Sequence, residues 1–466
     1  MNAPYPLDRL DDAVGDRIER AIRAHHRRRL RRRGHARAFD PPPGGWATSG
    51  ATPPRRRCAV ELLVDGDEIL GRIAADVAAA QAHVELAGWH FAPSFRLGRD
   101  GPSLRDLLAE VAARVDVRVL EWAGAPLPLF RPGRAEVRAV RDELTRGTRV
   151  QVQLDAKERP MHCHHEKLVV VDGRVAYVGG LDLTALGGDR LDSSDHPPRP
   201  GVGWHDACVR LEGPVVSDVA SHFRLRWDGE LPRSPAAHAG GDLEVQLVRT
   251  VPEHLYRGLP HGEFTILESY LRALHAAQRF VYLESQFLWS PELVQALAAK
   301  LRAPPHPDFR VVVVLPAKPN NGRDDSRGQL GVLVNAATEG GDDARFLACT
   351  LYQPHGNPVY VHSKVGIVDD AWLTVGSANL NEHSLFNDTE VNVVVREREV
   401  VRAARLRLWS EHLEQDAAGE PSRVVDELWR PLADEQSPAR KLRLLRGVSR
   451  RSQALWGPVN GLLVDG

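Results

Sequence analysis

The chain has 466 residues, 42% of them apolar and 6% aromatic, with 61 Lys and Arg against 62 Asp and Glu. At roughly 100–200 residues per domain this is room for two or three domains with full cores, and a formal net charge of −1 excludes the simplest nucleic-acid binder, which carries a strong basic excess. No run approaches the roughly 18 apolar residues of a membrane-spanning helix, and residues 1–10 are too polar for a signal-peptide core, so a soluble, non-secreted protein is expected, cytoplasmic or peripheral on the inner face of a membrane.

The four cysteines, Cys58, Cys163, Cys208 and Cys349, fit no C-x-x-C pattern, so neither a disulfide framework nor a thiolate zinc site is indicated. Only six of the 61 basic side chains are lysines, which makes each lysine informative.

Residues 17–57 hold thirteen Arg and two carboxylates, Glu19 and Asp40. Val14, Ile18, Ala21, Ile22 and Leu30 form a thin apolar stripe that predicts a helix over 14–30, closed by the Pro-Gly run at 41–45. Such a segment reads either as a solvated arm or as an anchor to anionic lipid. From Cys58 the pattern predicts strands at 58–64, 84–90, 117–121 and 150–154, with helices at 68–82, 104–114 and 135–146 between them. A second series resembles the first: strands at 243–248, 280–283 and 311–315, with helices at 264–277 and 291–302. Alternation of this kind implies mixed sheets covered on both faces, in an α/β protein of two similar halves. The expected division is a basic arm 1–57, a first half 58–230, a linker 231–242, a second half 243–415, and a helical, basic tail 416–466.

The two series share a polar motif. H-E-K-L-V-V-V-D-G-R-V-A-Y-V-G-G-L-D begins at His165 and H-S-K-V-G-I-V-D-D-A-W-L-T-V-G-S-A-N at His362, both H-x-K-x4-D-x6-G-[GS]-x-[DN]. Each reads as a β-hairpin, so His165 lies beside Lys167, and His362 beside Lys364, on one strand face. Asp172 and Asp369 have the opposite parity and fall at the turns, which makes them supports rather than substrate contacts.

Two imidazoles and two ammonium groups converging about a pseudo-two-fold make a phosphodiester site. The ammonium groups offset the charge on a five-coordinate phosphorus, one imidazole attacks, and the other passes the proton. Lysine does the electrostatic work, so no metal or cofactor is expected. A nucleophilic imidazole needs an acceptor on its far nitrogen, and each half offers one, Asp206 and Glu390. Ser377 and Asn379 could bond phosphate oxygens or ring nitrogens; Gly180 and Asp182 stand in their places in the first half, so the pocket is chemically asymmetric. Met161-His162-Cys163-His164-His165 invites a metal reading, but neighbours on a strand alternate faces and cannot chelate one ion together, which leaves His162 and His164 as a polar rim or as hydrogen-bonded neighbours.

At these residues the chain resembles the phospholipase D superfamily, and more closely its phosphatidylcholine-hydrolysing members. Besides both motifs the resemblance includes the segments at 189–197, 204–206, 213–219, 281–287 and 408–413; Ser285 and His383 depart from the pattern, standing where Asn and Arg are usual. It implies a pseudo-two-fold phospholipase D fold of two α-β-α sandwich halves with mixed β-sheets. It also implies His165 as nucleophile and His362 as acid and base, with hydrolysis of a glycerophospholipid to phosphatidic acid and headgroup through a phosphohistidine. Transfer to an alcohol, as in a cardiolipin synthase, is the nearest alternative, and a nucleic-acid phosphodiesterase the next. The expected partners are a phospholipid and an anionic membrane surface, with no obligate nucleic acid, and the protein is expected to be a monomer.

Overall fold

A computed structural model describes residues 6–126, 131–159, 161–186, 190–229, 231, 238–318 and 326–445. Asp189, residues 232–237 of the expected linker and residues 446–466 of the expected tail lie outside the described residues.

Helices α1 (Pro6–Arg32) and α2 (Ala36–Phe39) come first. The first half runs β1 (Arg55–Val64), α3 (Asp65–Ala78), β2 (His83–Gly88), α4 (Leu104–Ala112), β3 (Asp116–Trp122), α5 (Arg134–Thr145), β4 (Gln151–Asp155), β5 (Leu168–Val171), β6 (Val175–Gly179), β7 (Gly203–His205), β8 (Ala207–Glu212) and α6 (Val215–Arg226). The second runs β9 (Leu243–Val251), β10 (Glu263–Phe264), α7 (Thr265–Ala276), β11 (Phe280–Glu284), α8 (Pro291–Arg302), β12 (Arg310–Val314), α9 (Ser326–Glu339), β13 (Phe346–Tyr352), β14 (Pro358–Val361), β15 (Val365–Val368), β16 (Trp372–Gly376), β17 (Glu390–Val395) and α10 (Arg398–Leu413). Helices α11 (Pro421–Val424) and α12 (Arg430–Glu435) and strand β18 (Leu442–Leu444) follow.

The strand orders match. The first sheet is β4-β3-β2-β5-β6-β8-β1, with β2, β3 and β4 parallel and the rest antiparallel. The second is β13-β12-β11-β15-β16-β17-β9, with β11, β12 and β13 parallel. Valine-rich central strands such as β5 and β12 are buried along their whole length, as strands covered on both faces must be. The sheets join where Arg55 and Cys58 of β1 meet Val245 and Leu243 of β9. Val170, Val209 and Leu211 share a core with Ile367, Val393, Phe223 of α6 and Trp409 of α10, so this core lies between the two sheets.

Two segments differ from expectation. Residues 17–54 are not a free arm, since Leu30, Ala38 and Phe39 join the second half's outer core with Phe264 and Leu267. Of the apolar stripe, Leu30 enters this core, whereas Ile18 and Ile22 are half-buried and Ala21 is exposed. Residues 421–445 likewise close the second half, with Trp429 in the shared core and β18 paired to β13.

Candidate active site

Each histidine motif is tied to the opposite half at the entry to its hairpin. The backbone amides of His165 and Glu166 donate to the Thr389 carbonyl, at 3.0 and 3.1 Å, immediately before β17. Those of His362 and Ser363 donate to the His205 carbonyl, at 2.8 and 3.2 Å, where β7 runs parallel to β14. This exchange decides the chemistry of the site. His165 Nδ1 lies 2.9 Å from Glu390 Oε1, and His362 Nδ1 lies 2.8 Å from Asp206 Oδ2. Each imidazole is therefore held by a carboxylate from the other half, and both keep Nε2 for the pocket. All four groups are buried.

The lysines follow two residues on. Lys167 Nζ donates to its own motif's His165 carbonyl at 2.6 Å and lies 3.4 Å from Asp182; Lys364 Nζ donates to the His362 carbonyl. Both halves act on the same charges. Burial would raise the Asp182 pKa, but Lys167 and Arg190, then His165 and His362, outweigh it and hold Asp182 below the ordinary carboxylate range. Burial, then Lys364 and Arg190, lowers His362 well below the usual imidazole value. Burial also raises Asp206, so the His362–Asp206 pair is biased to its neutral form, and it pushes Lys364 down to about 7 against the opposing pull of Asp206.

The asymmetry foreseen between Gly180 and Ser377 has a steric cause. Ser377 Oγ donates to Glu390 Oε2, and Ser384 Oγ to Oε1 at 2.6 Å. Opposite them Asp206, one methylene shorter, occupies the space where a side chain at Gly180 would be; an added Cβ would overlap Asp206 Oδ1 and come 3.0 Å from the His362 carbonyl oxygen. Ser377 thus supports the Glu390 carboxylate and bonds neither ring directly. Asn379 donates its amide to Gln286 at 3.3 Å and leaves Oδ1 without a hydrogen bond.

Asp172 and Asp369, expected at the turns as supports of the two motifs, stand at the far ends of β5 and β15 with positive φ. Asp172 accepts from the amides of Gln81, Ala82 and His83; Asp369 accepts from those of Gln278, Arg279 and Phe280. They clamp the entries of β2 and β11.

His164 is not rim but interior, bonded to Thr389 Oγ1 at 2.8 Å and 3.4 Å from Asp155. Trp204 stacks on Tyr360 at 4.9 Å and lies 5.0 Å from the His362 ring, with Arg190 over its face. Sequence reasoning missed Arg190 and Ser384; an arginine inside the matched segment 189–197 was the available signal for the first.

One cluster behind His362 could hold a cation. His205 Nδ1 and His196 Nε2 face carboxylate oxygens of Asp65 and Glu411 at 2.9–3.5 Å, and the outer ring nitrogens each lie 3.1 Å from a further carboxylate, Glu284 and Asp192. Two histidines backed by carboxylates are the usual surroundings of a divalent ion.

A family profile described as "Cardiolipin synthase, PLD-like domain" matches residues 270–410. Phospholipase D A of Dictyostelium discoideum is 25% identical over 78% of this chain and 36% of its own length. The major cardiolipin synthase ClsA of Bacillus subtilis (strain 168) is 25% identical over 72% of this chain and 65% of its own, and phospholipase D2 of Bos taurus is 24% identical over 75% and 50%. The chain thus spans between about a third and two-thirds of the length of these relatives. The crystal structure of phosphatidylserine synthase from Haemophilus influenzae Rd KW20 superposes with a TM-score of 0.57 at 13% identity, covering 81% of this chain and 94% of the other. That likeness shows the class of fold, two α/β halves with mixed sheets. The sequence matches add support for the phospholipase D superfamily, whose named members here are phospholipases D and cardiolipin synthases. Among the described residues no helix is long and apolar enough to cross a membrane.

Proposed function

We propose that this chain is a phospholipase D-type phosphodiesterase that cleaves glycerophospholipids through a phosphohistidine. The supporting observation is the crossed pair of imidazole–carboxylate contacts, His165–Glu390 and His362–Asp206, with Lys167 and Lys364 beside them.

A phosphodiester anion binds against the two ammonium groups. His165 Nε2 attacks phosphorus as the bond to the headgroup oxygen breaks, and Glu390 takes up the positive charge developing on the ring through Nδ1–H. His362 supplies the proton to the leaving alkoxide. In the free chain this ring is neutral, and the bound anion, by offsetting Lys364 and Arg190, lets it acquire that proton. Neutral again, it takes a proton from water, whose oxygen attacks phosphorus and breaks the P–N bond to release phosphatidic acid.

An alcohol in place of water gives a phosphatidyltransferase. The cardiolipin-synthase description of the match over 270–410 favours keeping that second reading. Incubation with phosphatidylcholine or phosphatidylglycerol, and mass spectrometry of the products, separates them: phosphatidic acid supports the lipase, cardiolipin the synthase. His165→Ala and His362→Ala should each lower turnover by at least about 10³-fold, and a quenched reaction should carry phosphate on His165. Activity near wild type in either variant refutes the site.

A further inference from the structure

A second group of histidines lies at the border between the halves, outside the proposed chemistry. His162, three residues before His165, meets His383 across the border with the two Nδ1 atoms 2.9 Å apart. Asp388, two residues before Glu390, completes the group: its oxygens lie 3.5 Å from His162 Nδ1 and 3.9 Å from His383 Nδ1. These three residues meet the geometric requirement for gripping one ion. The sequence argument against a metal at His162 considered only strand neighbours, and the missing ligands come from the other half.

We propose that His162, His383 and Asp388 form a binding site for a divalent transition metal of the zinc class, which ties the loop leading to His165 to the loop leading to Glu390. Zinc bonds of about 2.0–2.1 Å place tetrahedral ligand atoms about 3.3 Å apart; the two Nδ1 atoms lie 2.9 Å apart, and the Asp388 carboxylate brings Oδ1 to 3.5 Å from His162 and Oδ2 to 3.9 Å from His383, so a small shift of side chains gives one such set. Two imidazoles and one carboxylate select zinc, cobalt or nickel over magnesium or calcium. The framework is already set. Asp388 Oδ1 accepts the Cys163 amide at 2.8 Å, and the Asp388 amide donates to the His383 carbonyl at 2.8 Å, closing a single π-helical turn over His383–Asn387. Turns of that kind recur at functional sites. Access is also present, since the His162 side chain keeps 16% of its surface in solvent and neighbouring Met161 keeps 48%. Three protein ligands leave a coordination position for water. The site does not depend on the reaction proposed above, because its ligands are distinct from the four groups that would touch phosphate.

Equilibrium dialysis of the full chain against Zn2+, with elemental analysis, tests it. The wild type should retain one equivalent more than His162→Ala or His383→Ala, whatever the Asp65 cluster binds, and Zn2+ should raise the melting midpoint of the wild type more than that of either variant. Mg2+ should show no such difference. Should the variants fold poorly, diethylpyrocarbonate labelling of the wild type decides, read by peptide mass spectrometry. Zn2+ should protect His162. Equal stoichiometry in folded wild type and variants, or labelling of His162 unchanged by Zn2+, overturns the proposal.

Discussion

At the residue scale the site depends on contacts less than 3 Å long. Glu390→Gln keeps the size of the side chain but removes the charge that would balance the His165 ring in the proposed phosphohistidine, so kcat should fall by about 10²–10⁴-fold with little change in melting temperature. Gly180→Ser tests the steric limit in the other half. Its Cβ must displace Asp206, so His362 loses its support and kcat should drop sharply while substrate binding changes less. Lys364 gives a pH signature. With its pKa near 7 it carries charge below that value and loses it above, so kcat/KM should decline as pH rises through about 7. A profile flat from pH 6 to 9 contradicts the role given to this lysine.

At the scale of elements, α1 shows what a charge-dense sequence can conceal. Arg29 pairs with Glu253 at 2.7 Å and donates to Asn387 at 2.8 Å and to the Phe386 carbonyl at 2.9 Å. His26 sits between Glu292 and Glu382, both at 3.0 Å, and stacks on Phe386 at 3.9 Å. The helix thus grips the turn that precedes Glu390. Burial alone would lower the His26 pKa, but the two glutamates raise it to about 9. The docking free energy from this group is therefore complete below about 6.5, the ordinary histidine value, and is lost as pH rises through 9. Protection factors in α1, corrected for the base-catalysed intrinsic exchange rate, should fall between those limits, and those of His26→Ala should be the same at both. The sequence showed a helix with a thin apolar stripe; it could not show that carboxylates 224 to 356 positions away would neutralise its face, because ion pairing over such separations leaves no local periodicity. The hairpins were legible for the opposite reason, since their valine runs and Asp turns are local.

Across the whole molecule the repeat explains what was readable and what was not. Motif spacing located His165, Lys167, His362 and Lys364, and the search for acceptors located Asp206 and Glu390, but nothing in the spacing told that the acceptors are exchanged. That exchange makes one complete site per chain. A mixture of His165→Ala and His362→Ala proteins should consequently recover no activity, measured against either alone; recovery would mean that the halves are traded between two chains.

The crossed acids also restrict how the two halves can move. Any rocking of one half against the other would lengthen both imidazole–carboxylate contacts together and disarm attacker and proton carrier in the same movement. Under the proposed reaction, admission of a lipid must then come from loops around the cleft rather than from a clamshell motion, with the frame beneath them held rigid.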